Sequence, residues 1–249
     1  MCDILKNKFL DYVSQFDLED ERIRLKIEHS FHVVDVMEYL VKSLRLSAYE
    51  CRVAYAIALF HDIGRFLQIE RYHTFIDADS VDHALLGCQI IRENHFFDEE
   101  EELIVCAIRN HNKLKVESGL DNLHLRMCYL IRDADKCDIF RVFAMQEYPV
   151  LFGFDQSVIE NSLVSDAIKH CLMHHCCVRK EDRQPGIDFC LTFLGFFYDL
   201  NFDVSIEYLM KDRLFLIPFS GFNFVHEKTR QDVDEILNEL NLFLEKRLL

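Results

Sequence analysis

A chain of 249 residues, half of them hydrophobic with 22 Phe and no Trp, can bury one sizeable core or two small ones. Its formal net charge of −15, from 43 acidic and 28 basic residues, repels a polyphosphate backbone, and no run of Lys or Arg offsets that repulsion. Long nucleic acid is therefore not an expected partner, whereas a small phosphorylated molecule held by a few convergent cations is compatible with the charge.

With only 7 Gly and 3 Pro to interrupt it, the chain is predicted to be all-α. The opening "MCDILKNKFLDYVSQF" is amphipathic and lacks the basic region and small-residue cleavage site of a signal peptide. No apolar run approaches the roughly 18 residues of a membrane span. A cytoplasmic protein without membrane association is the expectation. Over 21–44 the apolar residues Ile23, Ile27, Phe31, Val34, Met37, Val41 and Leu44 recur at helical steps. Ser47 and Glu50 then have capping-box spacing ahead of a helix that runs into "ALFHDIG", with Gly64 as its predicted stop. Residues 65–79, "RFLQIERYHTFIDAD", show no clean period and are predicted to form a loop that covers a site.

Further helices are predicted over about 81–94, 99–112 and 123–143. Others follow "YPVLFGF", near 156–174, 187–200, 204–212 and 227–248. No Gly/Ser-rich or Pro-rich linker and no repeat divides the chain, so a single all-α domain over 1–249 is expected. Its core would cover about 18–145 and a helical C-terminal extension about 150–249. Ten cysteines are scattered, with Cys88, Cys106 and Cys128 inside apolar helical patterns. Without an export signal they are expected to be reduced, buried small hydrophobes.

The helix before "HDIG" is apolar on every side from Val53 to Phe60, which places it in the protein's interior. His61 and Asp62 at its end need a compensating charge, because an ionised carboxylate is costly there unless it is paired or holds a metal. Other metal-competent side chains share the apolar faces of their own helices. His29 aligns with Val33, Val36 and Leu40; His83 with Leu86, Gly87 and Ile90; His111 with Ile104, Ala107 and Ile108; Asp135 with Ile131 and Ile139. Any one of these could be a core polar group satisfied on a carbonyl. All of them together, on successive helices, point to a shared metal centre.

His29, the pair His61 and Asp62, and Asp135 in "RDADKCDIFR" resemble the H…HD…D signature of HD-domain metal-dependent phosphohydrolases. The resemblance covers about 18–143, with "HSFHVV", "ALFHDIGR", "DHALLG", "AIRNHN" and "DADK" in that family's order. It implies an HD-domain-like helical bundle. It also favours Asp135 over Asp133, since the aspartate before the Lys is the family's usual ligand. His83 and His111 extend the likeness to the two-metal branch, in which Asp62 would bridge. The "GYP" element of members acting on cyclic dinucleotides is absent, so that substrate class does not carry over. "HDIGR" matches the branch's "HDxGK" in type and sets Arg65 one turn past the pair.

The implied activity is hydrolysis of a small soluble phosphate ester, with nucleotides in scope, by metal-bound hydroxide. The implied cofactor is one or two divalent ions per chain, held by His29, His61, Asp62, His83, His111 and Asp135. Imidazole and carboxylate ligands suit Fe, Mn, Zn, Co or Ni and allow Mg. Asp62 and Arg65 are the expected catalytic groups. Arg65, His73, Arg109, Lys113 and Lys136 are candidates for contact with a phosphorylated substrate, with surface solvation the alternative for most of them. The same six-ligand set also occurs in diiron oxygenases related to myo-inositol oxygenase, and a regulatory module that binds metal or nucleotide without turnover is a third alternative. The dense cluster "KHCLMHHCC", with His170, Cys171, His174, His175, Cys176 and Cys177, has poor geometry for a four-ligand zinc site and is expected to be dispensable. Neither the substrate, the native metal nor the oligomeric state is legible in the sequence.

Overall fold

The computed structural model describes residues 2–249, and among them every regular element is helical. The chain divides into two compact units, one ending at Asp138 and the other Ile139–Leu249.

The first unit contains α1 (Cys2–Val13), α2 (Glu21–Ser43), α3 (Ala48–Phe60), α4 (Ile63–Tyr72), α5 (His83–Glu93) and α6 (Glu101–His111), and most of α7 (Asn122–Met145). Helix α2 starts at Asp20, whose carboxylate accepts from Arg22 N. The predicted capping box starts α3, with the Ser47 side chain accepting from Glu50 N and the Glu50 side chain accepting from the Ser47 backbone. Val53, Ala54 and all residues from Ala56 to Phe60 are buried, as expected for a helix with apolar residues on every side. Helices α1, α2 and α6 pack around it, and α5 packs between α4 and α6. Phe9 of α1 anchors the aromatic core, with its ring edge-on to Phe31, Phe60 and Phe66 at centroid distances of 5.8, 5.7 and 5.8 Å.

Two local expectations are corrected. Residues 65–79 are not one loop: α4 occupies Ile63–Tyr72, and a short 3₁₀ turn follows at Asp77–Asp79. Gly64 does not stop α3 but lies in the first turn of α4, where a Cβ would sit 2.1 Å from His83 O and 2.7 Å from Gly87 N. The glycine is needed for close approach of α4 to α5, not for a cap.

In the second unit, α8 (Tyr148–Phe152), α9 (Gln156–Glu160), α10 (Asp166–Met173), α11 (Ile187–Leu194), α12 (Asp203–Asp212), α13 (Ile217–Ser220) and α14 (Glu227–Leu248) enclose a phenylalanine-rich core. Phe143 meets Phe193 at 4.6 Å, while Phe197 meets both Phe140 and Phe215 at 4.8 Å. The helix expected over 156–174 is broken. Asn161 ends α9, and the Ser165 hydroxyl caps α10 by accepting from Ile168 N. The helix expected over 187–200 tightens into a 3₁₀ turn at Gly195–Asp199. No disulfide joins the described cysteines, and Cys88, Cys106 and Cys128 are buried as anticipated. No described helix is long and apolar enough to cross a membrane.

Candidate metal centre

Five helices deliver polar side chains to one buried point in the first unit. His29 projects from the middle of α2. His61 and Asp62 form the corner between α3 and α4, so they leave the apolar helix where its backbone turns. His83 is the first residue of α5, set by the Asp82 carboxylate, which accepts from Ala84 N and Leu85 N. His111 is the last residue of α6, and Asp135 lies inside α7. His29, His61, Asp62, His83 and His111 are each at most 5% exposed.

Their atoms form two sets that share one carboxylate. In the first, His29 Nε2 and His61 Nε2 are 3.3 Å apart. Asp135 Oδ1 is 3.1 Å from the former and 3.7 Å from the latter, and Asp62 Oδ2 is 3.8 and 3.7 Å from the two. In the second, His83 Nε2 and His111 Nε2 are 3.1 Å apart, with Asp62 Oδ1 at 3.3 and 3.7 Å from them. The two carboxylate oxygens of Asp62 thus face different imidazole pairs. Among the described residues, His29, His61 and Asp62 converge closely enough to hold one ion, as do Asp62, His83 and His111.

The opposite ring nitrogens explain why these lone pairs converge. His61 Nδ1 donates to Ala58 O at 2.8 Å and His111 Nδ1 to Ile108 O at 2.6 Å. His83 Nδ1 donates to Asp77 Oδ2 at 2.7 Å, and His29 Nδ1 donates to Asp138 Oδ2 at 2.7 Å. Each neutral ring then presents an Nε2 lone pair inward. Two lone pairs 3.1 Å apart repel, so the His83 and His111 pair fits a cation between them. This is the outer-shell pattern that orients metal-bound histidines.

The protonation states favour ligation. Burial pushes the His61 and His83 imidazoles down to about 4, against the opposing pull of Asp62 and Asp135 on the first and Asp77 on the second. Burial alone would raise Asp62, but Lys26, His61, His111 and Arg65 outweigh it and hold the carboxyl well below its usual range. For Asp135, burial is likewise outweighed by His29 and His61. His29 differs: burial and Lys26 push it down, yet the carboxylates of Asp135 and Asp138 raise it on balance. Neutral pH therefore supplies neutral imidazoles and ionised carboxylates to most of the set.

The other candidate residues have diverse surroundings. Arg65 is beside the centre, with Nε 3.6 Å from Asp62 Oδ1, but its Nη1 is engaged by Gln68 Oε1, Phe75 O and Asp77 Oδ1 at 2.6–2.8 Å. Through Asp77 it steadies His83. Arg109 is turned to Glu117, and Lys113 to Asp82. Lys136 is buried, with Nζ 3.4 Å from Arg132 O, and His73 is exposed at the C-terminal cap of α4. In the 170–177 cluster, His174 Nδ1 donates to His170 O, His175 contacts Glu239 and Cys171 Sγ bonds to Cys176 O. Among the described residues that cluster does not gather three ligand atoms.

Three contributors were missed in the sequence. Asp138 lies three residues after Asp135, and Lys26 three before His29, so helical phase could have identified both. Asp77 follows α4 in an aperiodic stretch and gave no such signal. Arg132 adds a further support: its guanidinium donates to carbonyls of Asn110, Lys113 and Leu114, which flank His111 where α6 ends.

Residues 27–139 match the family model described as HD domain. No curated protein and no solved structure matches the chain.

Proposed function

From an HD domain over residues 27–139, we propose that this chain is a metal-dependent phosphohydrolase acting on a small soluble phosphate ester, with nucleotides within the substrate class. One observation carries the reading: Asp62 turns Oδ1 to the His83 and His111 pair and Oδ2 to the His29 and His61 pair. His29, His61, Asp62 and Asp135 would hold one divalent ion, and Asp62, His83 and His111 a second. Such ions lower the pKa of water and polarise phosphoryl oxygens, which is the chemistry that in-line displacement at phosphorus needs.

The protein's own part is orientation. Asp138 and Asp77 fix the His29 and His83 rings, while carbonyls of Ala58 and Ile108 fix His61 and His111. Against burial, His83 and then Arg65 keep Asp77 ionised, and Gln68 helps hold it in place, its Nε2 donating to Asp77 Oδ1 at 3.0 Å. The apolar walls of α3 reduce the local dielectric, so charges aimed at a bound phosphoryl group act more strongly than they would in water.

Hydrolysis requires no electron transfer. Protein loaded with Mn²⁺ and kept free of oxygen is expected to release inorganic phosphate from at least one member of a panel of phosphate monoesters and nucleotides. Turnover that needs iron and consumes oxygen would replace this reading with an oxygenase. Metal binding with no turnover of the panel under either condition would leave a binding module.

A further inference from the structure

We infer that Lys26 is the phosphoryl-binding cation of this centre, and that it competes with the ion of the first ligand set for Asp62. Lys26 precedes His29 by one turn of α2 and shares its face. Its Nζ donates to Asp62 Oδ2 at 2.7 Å, and the side chain is only 18% exposed. That oxygen is the one turned toward His29 and His61. An ammonium and a divalent ion on one carboxylate oxygen repel each other strongly at such short range.

The competition has a chemical resolution. The ammonium sits on a four-carbon stem with rotatable donors, so it can leave Oδ2 without a change in the backbone. From the same position Nζ also lies 5.5 Å from the Phe75 ring centroid, so part of its stabilisation does not depend on Asp62. A phosphoryl oxygen next to the first ligand set gives the ammonium an anionic acceptor there and removes the repulsion. Neighbouring cations are poorer candidates, because Arg65 Nη1 has three protein acceptors and Arg109 and Lys113 are paired with Glu117 and Asp82. Lys26 bonds instead to a proposed ligand. Metal and phosphate should therefore bind cooperatively, with Lys26 as the coupling group.

The inference rests on the hydrolase reading only for the identity of the anion, and its test does not need turnover. Mn²⁺ affinity of chelator-treated protein and affinity of the Mn²⁺-loaded protein for inorganic phosphate are measured by titration calorimetry for wild type, Lys26→Met and Lys26→Arg. Lys26→Met is expected to bind Mn²⁺ about fivefold more tightly and phosphate about tenfold more weakly. Lys26→Arg should recover part of the phosphate affinity. Weaker Mn²⁺ binding in folded Lys26→Met would make Lys26 a structural counter-ion of Asp62 and overturn the inference, as would unchanged phosphate affinity. If Lys26→Met fails to fold by circular dichroism, Lys26→Arg decides: phosphate affinity below wild type with Mn²⁺ affinity retained supports the role, and unchanged phosphate affinity or loss of Mn²⁺ binding opposes it. Phosphoesters left intact by wild type, alongside the expected shifts in both affinities, would sink the hydrolase reading while Lys26 keeps its role.

Discussion

Replacing Asp62 with Ala is expected to strip metal from both ligand sets and to lower phosphate-ester hydrolysis by about a thousandfold or more. The size of the effect follows from the double use of one residue. Without its carboxylate, the second set retains only His83 and His111, and the first retains His29, His61 and Asp135. Four buried imidazoles and the ammonium of Lys26 would also lose their nearest shared anion. Asp62→Asn keeps the shape but not the charge and should lose metal nearly as completely, which separates a ligand effect from a packing effect. Elemental analysis after gel filtration measures the occupancy, with circular dichroism as the control for folding. Full occupancy in folded Asp62→Ala would place the ions elsewhere.

Gly64→Ala is expected to destabilise the first unit by about 3 kcal/mol and to weaken metal binding at His83 and His111 more than at His29 and His61. The added Cβ would meet His83 O at 2.1 Å and Gly87 N at 2.7 Å, and neither is a side chain that can swing away. Helix propensity favours Ala over Gly by about 1 kcal/mol, too little to offset a backbone collision. Helices α4 and α5 must separate, and His83 is the first residue of α5. Gly221→Ala is the matched control, since its Cβ would find only Pro218 O at 3.8 Å and should change stability by less than about 0.5 kcal/mol. Thermal melts of both variants measure the difference, and equal melting temperatures would contradict the account of this contact.

The metal-competent residues were legible because helical periodicity exposes a polar group on an apolar face. His29, His83, His111 and Asp135 each break such a stripe, and His61 and Asp62 end a helix that has no polar face. What periodicity cannot see is where a side chain goes once the backbone turns. Arg65 follows His61 and Asp62 by one turn, yet its guanidinium reaches forward to Phe75 and Asp77 as well as back toward Asp62. Asp77 orients His83 from an irregular segment, and its role is set by the tertiary approach of the 3₁₀ turn to α5. Gly64 was read by its residue type as a stop, whereas its use is the close crossing of two helices. In the second unit, Asn161 ends and Ser165 restarts a helix that apolar spacing alone would have continued. The Ser162 hydroxyl accepts from Ile187 N, a partner 25 residues away and invisible to local pattern.

If Asp62 joins two ions into one centre, as proposed, the electron paramagnetic resonance spectrum of the fully Mn²⁺-loaded protein will register it. Two ions bridged by one carboxylate are expected to give a spin-coupled spectrum, and His111→Ala should convert it to the resolved hyperfine pattern of an isolated ion at the first ligand set. A spectrum of isolated ions in the wild type at full loading, unchanged by His111→Ala, would contradict the bridge.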